Sequence, residues 1–407
     1  MSKPVIAGAS VLLTCLLLLS LPCPLHAQKK EISQAKTYIK SGKDYDKAEE
    51  LMTGLLEKDS ASRANEKVWL TLYTALQKQY ESGNEKLYLK EKYDTATLFT
   101  LTKKIYTTLE ALDSVDMMPD EKGRVAPRYR EKHAKDLDVL RPNLYNGGRY
   151  YFNKGDYASA FPYFGMYIDS PAQPIFTGYD YGTDDAEKIT SAAYWATVCG
   201  ARLKDAGMTL RYSETALRDT TRMKYTLMHI AEAYKLKDDE QMYAKTLRKG
   251  FDISPDFPYF FASLMDYYND SQKVDSALSL SARALQIDGR NRLFLLARSA
   301  VLYNAGMNEE CIAISDSLIS ITDSIAEPYF NAGMAYLNII LEKENMPAEK
   351  KDRNEIRRMY ATAKPYMERY RALAPDEKDK WGFPLYRIYL NLNDGTKFDE
   401  IDKILKK

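Results

Sequence analysis

The chain has 407 residues, 45% hydrophobic and 28% charged, with 58 Lys and Arg set against 57 Asp and Glu. A formal net charge of +1 excludes the basic footprint that nucleic-acid binding needs, so no nucleic-acid partner is expected. Four cysteines and three histidines leave little material for disulfides or a metal centre.

Residues 1–27 read as an export signal. Lys3 supplies a positive start, Val5 to Leu21 is apolar, and Pro22 and Pro24 end that run. Ala27 offers the small residue before a cut that leaves Gln28 first. The apolar run falls short of the roughly 20 residues a spanning helix needs. Neither Leu12-Leu13-Thr14 before Cys15 nor Ser20-Leu21-Pro22 before Cys23 supplies the small residue that precedes a lipidated cysteine. The expected mature chain, 28–407, has no membrane span and is exported, to the periplasm or the outside of a Gram-negative bacterium. Loss of Lys3 leaves it formally neutral. Its two cysteines, Cys199 and Cys311, fall on packing positions too far apart in the chain to pair, and read as small hydrophobes.

Helical periodicity begins soon after the cut. Ala35, Tyr38, Gly42, Tyr45, Ala48, Met52 and Leu55 predict helix, turn at Ser41-Gly42-Lys43, helix. Trp69, Leu72, Tyr73 and Leu76 mark the next helix, and Leu98, Leu101, Ile105, Leu109 and Leu112 a longer one, with Glu81-Ser82-Gly83-Asn84 as the turn between. Pro119, Gly123 and Pro127 break the segment that follows. It reads as a linker over 113–140 with a short charged helix, 128–140, ending at Arg141-Pro142. Gly148, Tyr151, Gly155, Tyr157, Ala160 and Phe164 then predict a helix pair with its turn at Gly155. Cys199, Gly200, Leu203, Gly207, Tyr212 and Ala216 predict another, with Gly207 as turn and an insertion around 169–189.

From there the pattern becomes regular, with a period of about 34 residues. Leu227, Ile230, Ala231, Tyr234, Leu247 and Pro255 are followed one period on by Phe261, Leu264, Met265, Tyr268, Ser281 and Gly289. A further period leads to Leu295, Arg298, Ser299, Leu302, Ser315 and Asp323. Tyr329, Ala332, Gly333 and Tyr336 open a last pair that closes with Ala363, Met367 and Pro375. The segment inserted there is Glu- and Lys-rich around 342–358, and should lengthen both helices into solvent. Trp381 to Leu405 reads as a capping pair.

This period, with its large, small, aromatic and helix-stop positions, resembles the tetratricopeptide repeat (TPR). The resemblance implies an all-α fold, an α-solenoid of about seven TPR-like helix–turn–helix repeats with a C-terminal capping helix pair. Repeats would occupy 28–112 and 141–375, with the cap over 376–407. One such repeat cannot bury its own apolar face, so stacking is obligatory. The implied function is a non-catalytic scaffold for a protein or peptide in the bacterial envelope. A carbohydrate- or peptidoglycan-binding module, or a structural subunit of a secretion or surface assembly, are the alternatives, since one scaffold hosts many functions. Oligomeric state is left open.

Signals for chemistry are sparse. The expected mature chain holds only His133 and His229, with no i, i+4 metal pair, no phosphate-cradling loop and no nucleophile elbow. No catalytic residue, cofactor or metal ligand is therefore expected. The acidic loop from Gly178 to Asp185 lacks the alternating ligands of a calcium loop. It reads instead as a helix start, with Asp184 as N-cap and Glu187 three positions on.

Tyrosine is the unusual component, at 32 residues against 13 Phe and 3 Trp. Tyr194, Tyr225 and Tyr259 share the second position of successive first helices, which in TPR proteins faces the concave groove. Tyr145 and Tyr303 fall at other groove positions, and Arg149, Glu232 and Asp266 would flank the row with charge. These eight side chains form the expected ligand surface, tyrosine giving large contact area with few rotors. The competing reading makes the rings padding between adjacent repeats. The lysine–asparagine clamp with which some TPR proteins hold a ligand's terminal carboxylate is not reproduced.

Overall fold

The computed structural model describes residues 24–406, and every regular element among them is helical. The expected export signal lies outside the described residues except for its last four, which begin the first helix. The chain forms two compact units, one ending at Lys237 and the other beginning at Asp238.

The N-terminal unit contains α1 (Pro24–Ser41), α2 (Tyr45–Lys58), α3 (Ser60–Arg63), α4 (Glu66–Tyr88), α5 (Thr95–Asp116) and α6 (Arg130–Asn153). It continues with α7 (Tyr157–Asp169), α8 (Tyr181–Asp184), α9 (Ala186–Leu203), α10 (Ala206–Arg211), α11 (Ser213–Ala216) and α12 (Met223–Leu236). The C-terminal unit contains α13 (Glu240–Ile253), α14 (Pro258–Asp270), α15 (Val274–Ile287), α16 (Arg292–Asn304) and α17 (Asn308–Ile321). It ends with α18 (Glu327–Glu344), α19 (Arg353–Leu373), α20 (Lys378–Leu392) and α21 (Gly395–Leu405). Within each unit the helices pack mainly on their chain neighbours, the arrangement of an α-solenoid.

The repeat is written in the backbone as well as in the side chains. Lys204, Asp238, Gln272 and Gly306 recur at the period of the sequence pattern, and all have positive φ, between 53° and 71°. Each closes a first helix in the left-handed conformation. An N-cap follows directly in three repeats: Asp156 after Gly155, Asp205 after Lys204 and Asp239 after Asp238. Their carboxylates accept from the amides of Ser159, Met208 and Met242 at 3.0, 2.8 and 3.0 Å. The turn of the fourth pair therefore sits at Lys204, not Gly207, which lies inside α10. The insert that separates this turn from the one at Gly155 is correspondingly shorter than a turn at Gly207 would require.

Packing explains the small positions. A Cβ on Gly148 would stand 2.6 Å from the Phe164 ring, so only glycine lets α6 and α7 approach this closely. The same helix-to-helix spacing joins Ser299 to Ser315, whose hydroxyls hydrogen-bond at 2.7 Å within the buried core. Leu264, Ala277 and Ser281 are buried as the repeat register requires, and so are Ala332, Ala363 and Met367 of the last pair. Cys199 and Cys311 are buried free thiols, and burial raises both above the ordinary thiol value, Cys199 to about 12.

Three local expectations are corrected. Glu81 to Asn84 is not a turn: α4 runs through it to Tyr88. Gly83 is buried because the Tyr93 ring lies 2.6 Å from where its Cβ would be, and the left-handed residue is Lys90. No helix ends at Arg141, because α6 continues through Pro142 to Asn153. Pro142 and Asp138, whose carbonyl loses its helical partner to the proline, are both exposed, so water can satisfy that carbonyl. The N-cap of α9 is Asp185 rather than Asp184, and it makes no side-chain capping bond. Its carboxylate accepts instead from Arg141 and from the Tyr167 hydroxyl.

That choice anchors the insert. The Arg141 guanidinium lies 4.0 Å from the Tyr167 ring and 4.2 Å from the Tyr181 ring. It also donates to Ser170 Oγ at 2.9 Å and the Tyr167 carbonyl at 3.1 Å. Between these points Ile175 and Phe176 are each 2% exposed, and the Phe176 ring meets Tyr106, Tyr179 and Tyr181.

Candidate functional site

The first helices of three successive repeats in the N-terminal unit, α6, α9 and α12, bring together a cationic and aromatic cluster. Trp195 on α9 is its centre. The Arg149 guanidinium, from α6, lies 4.3 Å from the Trp195 ring centroid. Arg222, at the N-cap position of α12, lies 5.6 Å from the same ring and 5.1 Å from Tyr194. Phe152 meets Trp195 edge-on at 4.8 Å. Such stacking holds a guanidinium flat while leaving its N–H edge available.

Hydroxyls tie the same helices together. Tyr145 and Ser191 share a 3.1 Å hydrogen bond, and Arg222 Nη1 donates to Ser191 Oγ at 3.3 Å. Lys188 stands 5.6 Å from the Tyr145 ring. Arg222 is held by Asp219 at 3.5 Å, and the Asp219 carboxylate also accepts from the Thr221 and Arg222 amides. Alongside runs a cleft of about 520 Å³ lined by Thr190, Ser191, Arg218, Arg222, Asp219 and Glu187 among others.

Of the expected ligand surface, Tyr145, Arg149 and Tyr194 belong to this cluster. Burial raises the Tyr194 phenol above its usual value, an effect opposed by Arg222 and reinforced by nearby Tyr225. Tyr225 is 40% exposed, with the Lys224 ammonium 5.6 Å from its ring. Glu232 is half-buried two turns further along α12 and contributes to the field at His229, whose pKa is lowered chiefly by burial and also by Arg202. Tyr259, Asp266 and Tyr303 belong to the C-terminal unit. There Tyr259 meets Phe260 at 5.4 Å and Asp266 is exposed. Tyr303 meets Phe330 of the next repeat's first helix at 5.9 Å.

Sequence reading missed Trp195, Ser191, Lys188 and Arg222. Trp195 was detectable in principle, as one of three tryptophans placed beside a groove-position tyrosine. Arg222 was not, because it lies outside the repeat pattern. Among the described residues, no group of three or more His, Cys, Asp or Glu side chains is disposed to hold a metal. No described helix is long and apolar enough to cross a membrane.

No family model and no curated protein matches the chain. Several solved structures are similar at low identity. The C-terminal part of a TPR repeat-containing protein from Cytophaga hutchinsonii is 12% identical, with TM-score 0.43, covering 64% of this chain and 93% of its own. YrrB, described as a TPR protein with an unusual peptide-binding site, is 16% identical, with TM-score 0.34 and coverage of 48% and 91%. Yeast Tom70 is 12% identical, with TM-score 0.32 and coverage of 92% and 83%. The chain's own repeat register, left-handed turns and interlocked small and large positions define tetratricopeptide-type repeats.

Proposed function

We propose that this protein is a non-catalytic TPR-type scaffold, exported to the bacterial envelope, that binds an extended segment of a protein or peptide. The binding face is that of α6, α9 and α12 around Trp195. The observation that carries the reading is the Arg149–Trp195–Arg222–Tyr194 cluster, which runs across three successive first helices. Arginine, tyrosine and tryptophan are the residue types that concentrate binding energy at protein interfaces. Rings held by neighbouring arginines lose little freedom on contact, which lowers the entropic cost of binding. The tripartite start of the sequence supports export.

Site-specific photo-crosslinking tests this reading. A photoreactive side chain replacing exposed Tyr225 should yield discrete polypeptide adducts in intact cells, and one replacing exposed Phe383 in the C-terminal unit should not. Adducts with glycan alone would favour the carbohydrate alternative. Equal labelling from both positions would remove the assignment of the face.

A further inference from the structure

Among the described residues, buried and half-buried arginines are paired with carboxylates, with one exception. Seven described arginines are not exposed, and six of them meet a carboxylate, as Arg130 meets Asp113 at 2.7 Å and Arg387 meets Glu344 at 2.6 Å. The seventh is Arg149. It is half-buried, stacked on Trp195, and has no carboxylate within ion-pair distance among the described residues. A guanidinium held against an indole with no carboxylate beside it is placed to take one from a ligand, because its planar fork matches a carboxylate in a charge-assisted, bidentate pair.

Trp195 shows the same pattern. Trp69 and Trp381 give their indole N–H to the carbonyls of Arg63 and Pro375, at 2.8 and 3.3 Å. The Trp195 N–H has no protein acceptor among the described residues. Exposed Lys188 and Arg218 near the same face also have no carboxylate partner there. The acidic groups described alongside are Asp219, already engaged by Arg222 and two amides, exposed Glu187 at the cleft's edge, and half-buried Glu232 further along α12. The site therefore carries more cationic than carboxylate side chains, in a chain whose formal charge is only +1.

We infer that the face around Trp195 recognises an acidic peptide segment, with Arg149 receiving an Asp or Glu carboxylate and the Trp195 ring holding the guanidinium in place. The inference rests on the proposed peptide-binding role and specifies its chemistry. Arginine suits the task better than lysine because its planar fork matches a carboxylate while its face stays on the indole.

Fluorescence anisotropy on the full purified chain tests it with four labelled probes: a Glu-Ser repeat peptide, its Gln-Ser and Lys-Ser counterparts, and an oligogalacturonate. The Glu-Ser peptide should bind at least about tenfold more tightly than the Gln-Ser peptide, and the gap should narrow as salt is raised. Arg149→Gln should weaken the acidic peptide by about tenfold, the scale of one charge-assisted hydrogen bond. Arg149→Lys, which keeps the charge and guards against a folding defect, should lose less, and Arg292→Gln in the other unit should change nothing. Equal binding of the Glu-Ser and Gln-Ser peptides would overturn the acidic specificity and leave the peptide-binding role standing. Binding of oligogalacturonate with none of the peptides would overturn both, and an Arg149→Gln protein with undiminished Glu-Ser affinity would overturn the assignment of Arg149.

Discussion

The two units each interrupt the repeat with an insertion, and they treat it in opposite ways. In the N-terminal unit the segment between α7 and α9 folds back, burying Ile175 and Phe176 beneath the Arg141–Tyr167–Tyr181 stack. In the C-terminal unit the segment between α18 and α19 buries nothing from Leu341 to Asn354. It lengthens the two helices, as its Glu- and Lys-rich composition predicts. A lysine–glutamate pair, Lys343 with Glu355 at 3.0 Å, joins them, and Glu344 accepts from Tyr360 and Arg387 at 2.8 and 2.6 Å. Composition decides the outcome: an insert with apolar rings can gain by burial, whereas a charged one gains more from hydration.

The sharpest way to break the contrast is Arg141→Ala. It would leave Asp185 without its cation and the two tyrosine rings without their filling, at a cost of about 3–5 kcal/mol. Denaturant unfolding would give the loss, and hydrogen exchange should place the new openings in 170–185. Unchanged protection there would show that the insert docks without its pin.

Acid should separate the units next. All three histidines precede residue 238. Burial holds both His133 and His229 below the ordinary imidazole value of 6.5. At these two imidazoles the unfolded chain is then the better proton binder, whereas burial raises the Glu110 carboxyl to about 7 and acts in the opposite sense. Their contribution is intact above pH 6.5 and is lost as pH falls through the depressed folded values. Hydrogen exchange on acidification should therefore accelerate first in the helices around His133 and His229, both in the N-terminal unit. Simultaneous loss of protection in both units, at a pH where only carboxylates titrate, would contradict this.

The smallest effect should come from the charged insert. Lys343→Ala removes a partly exposed ion pair and should cost within about 0.5 kcal/mol. A loss comparable to Arg141→Ala would mean that the charged insert is as integral as the apolar one.

Much of the fold was legible because TPR packing is local. The spacing of Leu264, Tyr268, Ala277 and Ser281 identifies two facing helices without reference to distant chain. Gly148 and Phe164 announce a close approach in the same way. What stayed hidden depended on partners outside the pattern. Gly83 looks like a turn residue until Tyr93 is seen against it, and Pro142 looks like a helix end until it and Asp138 are seen on the exposed side of a continuous helix. The tyrosines at groove positions were legible as a recurring class. Their individual surroundings were not, since Tyr303 meets Phe330 while Tyr225 has the Lys224 ammonium beside its ring.

The sequence by itself determined an all-helical chain of TPR-type pairs, the packing face of most helices, and the different natures of the two inserts. Periodicity reports which side of a helix is apolar, and composition reports what water will tolerate. Only the tertiary structure decided that Arg141 reaches Ser170 and Asp185, 29 and 44 residues away, and that Arg149 finds an indole and, among the described residues, no carboxylate. Whether a charge is paired depends on distances across the fold, and helical periodicity carries no information about those.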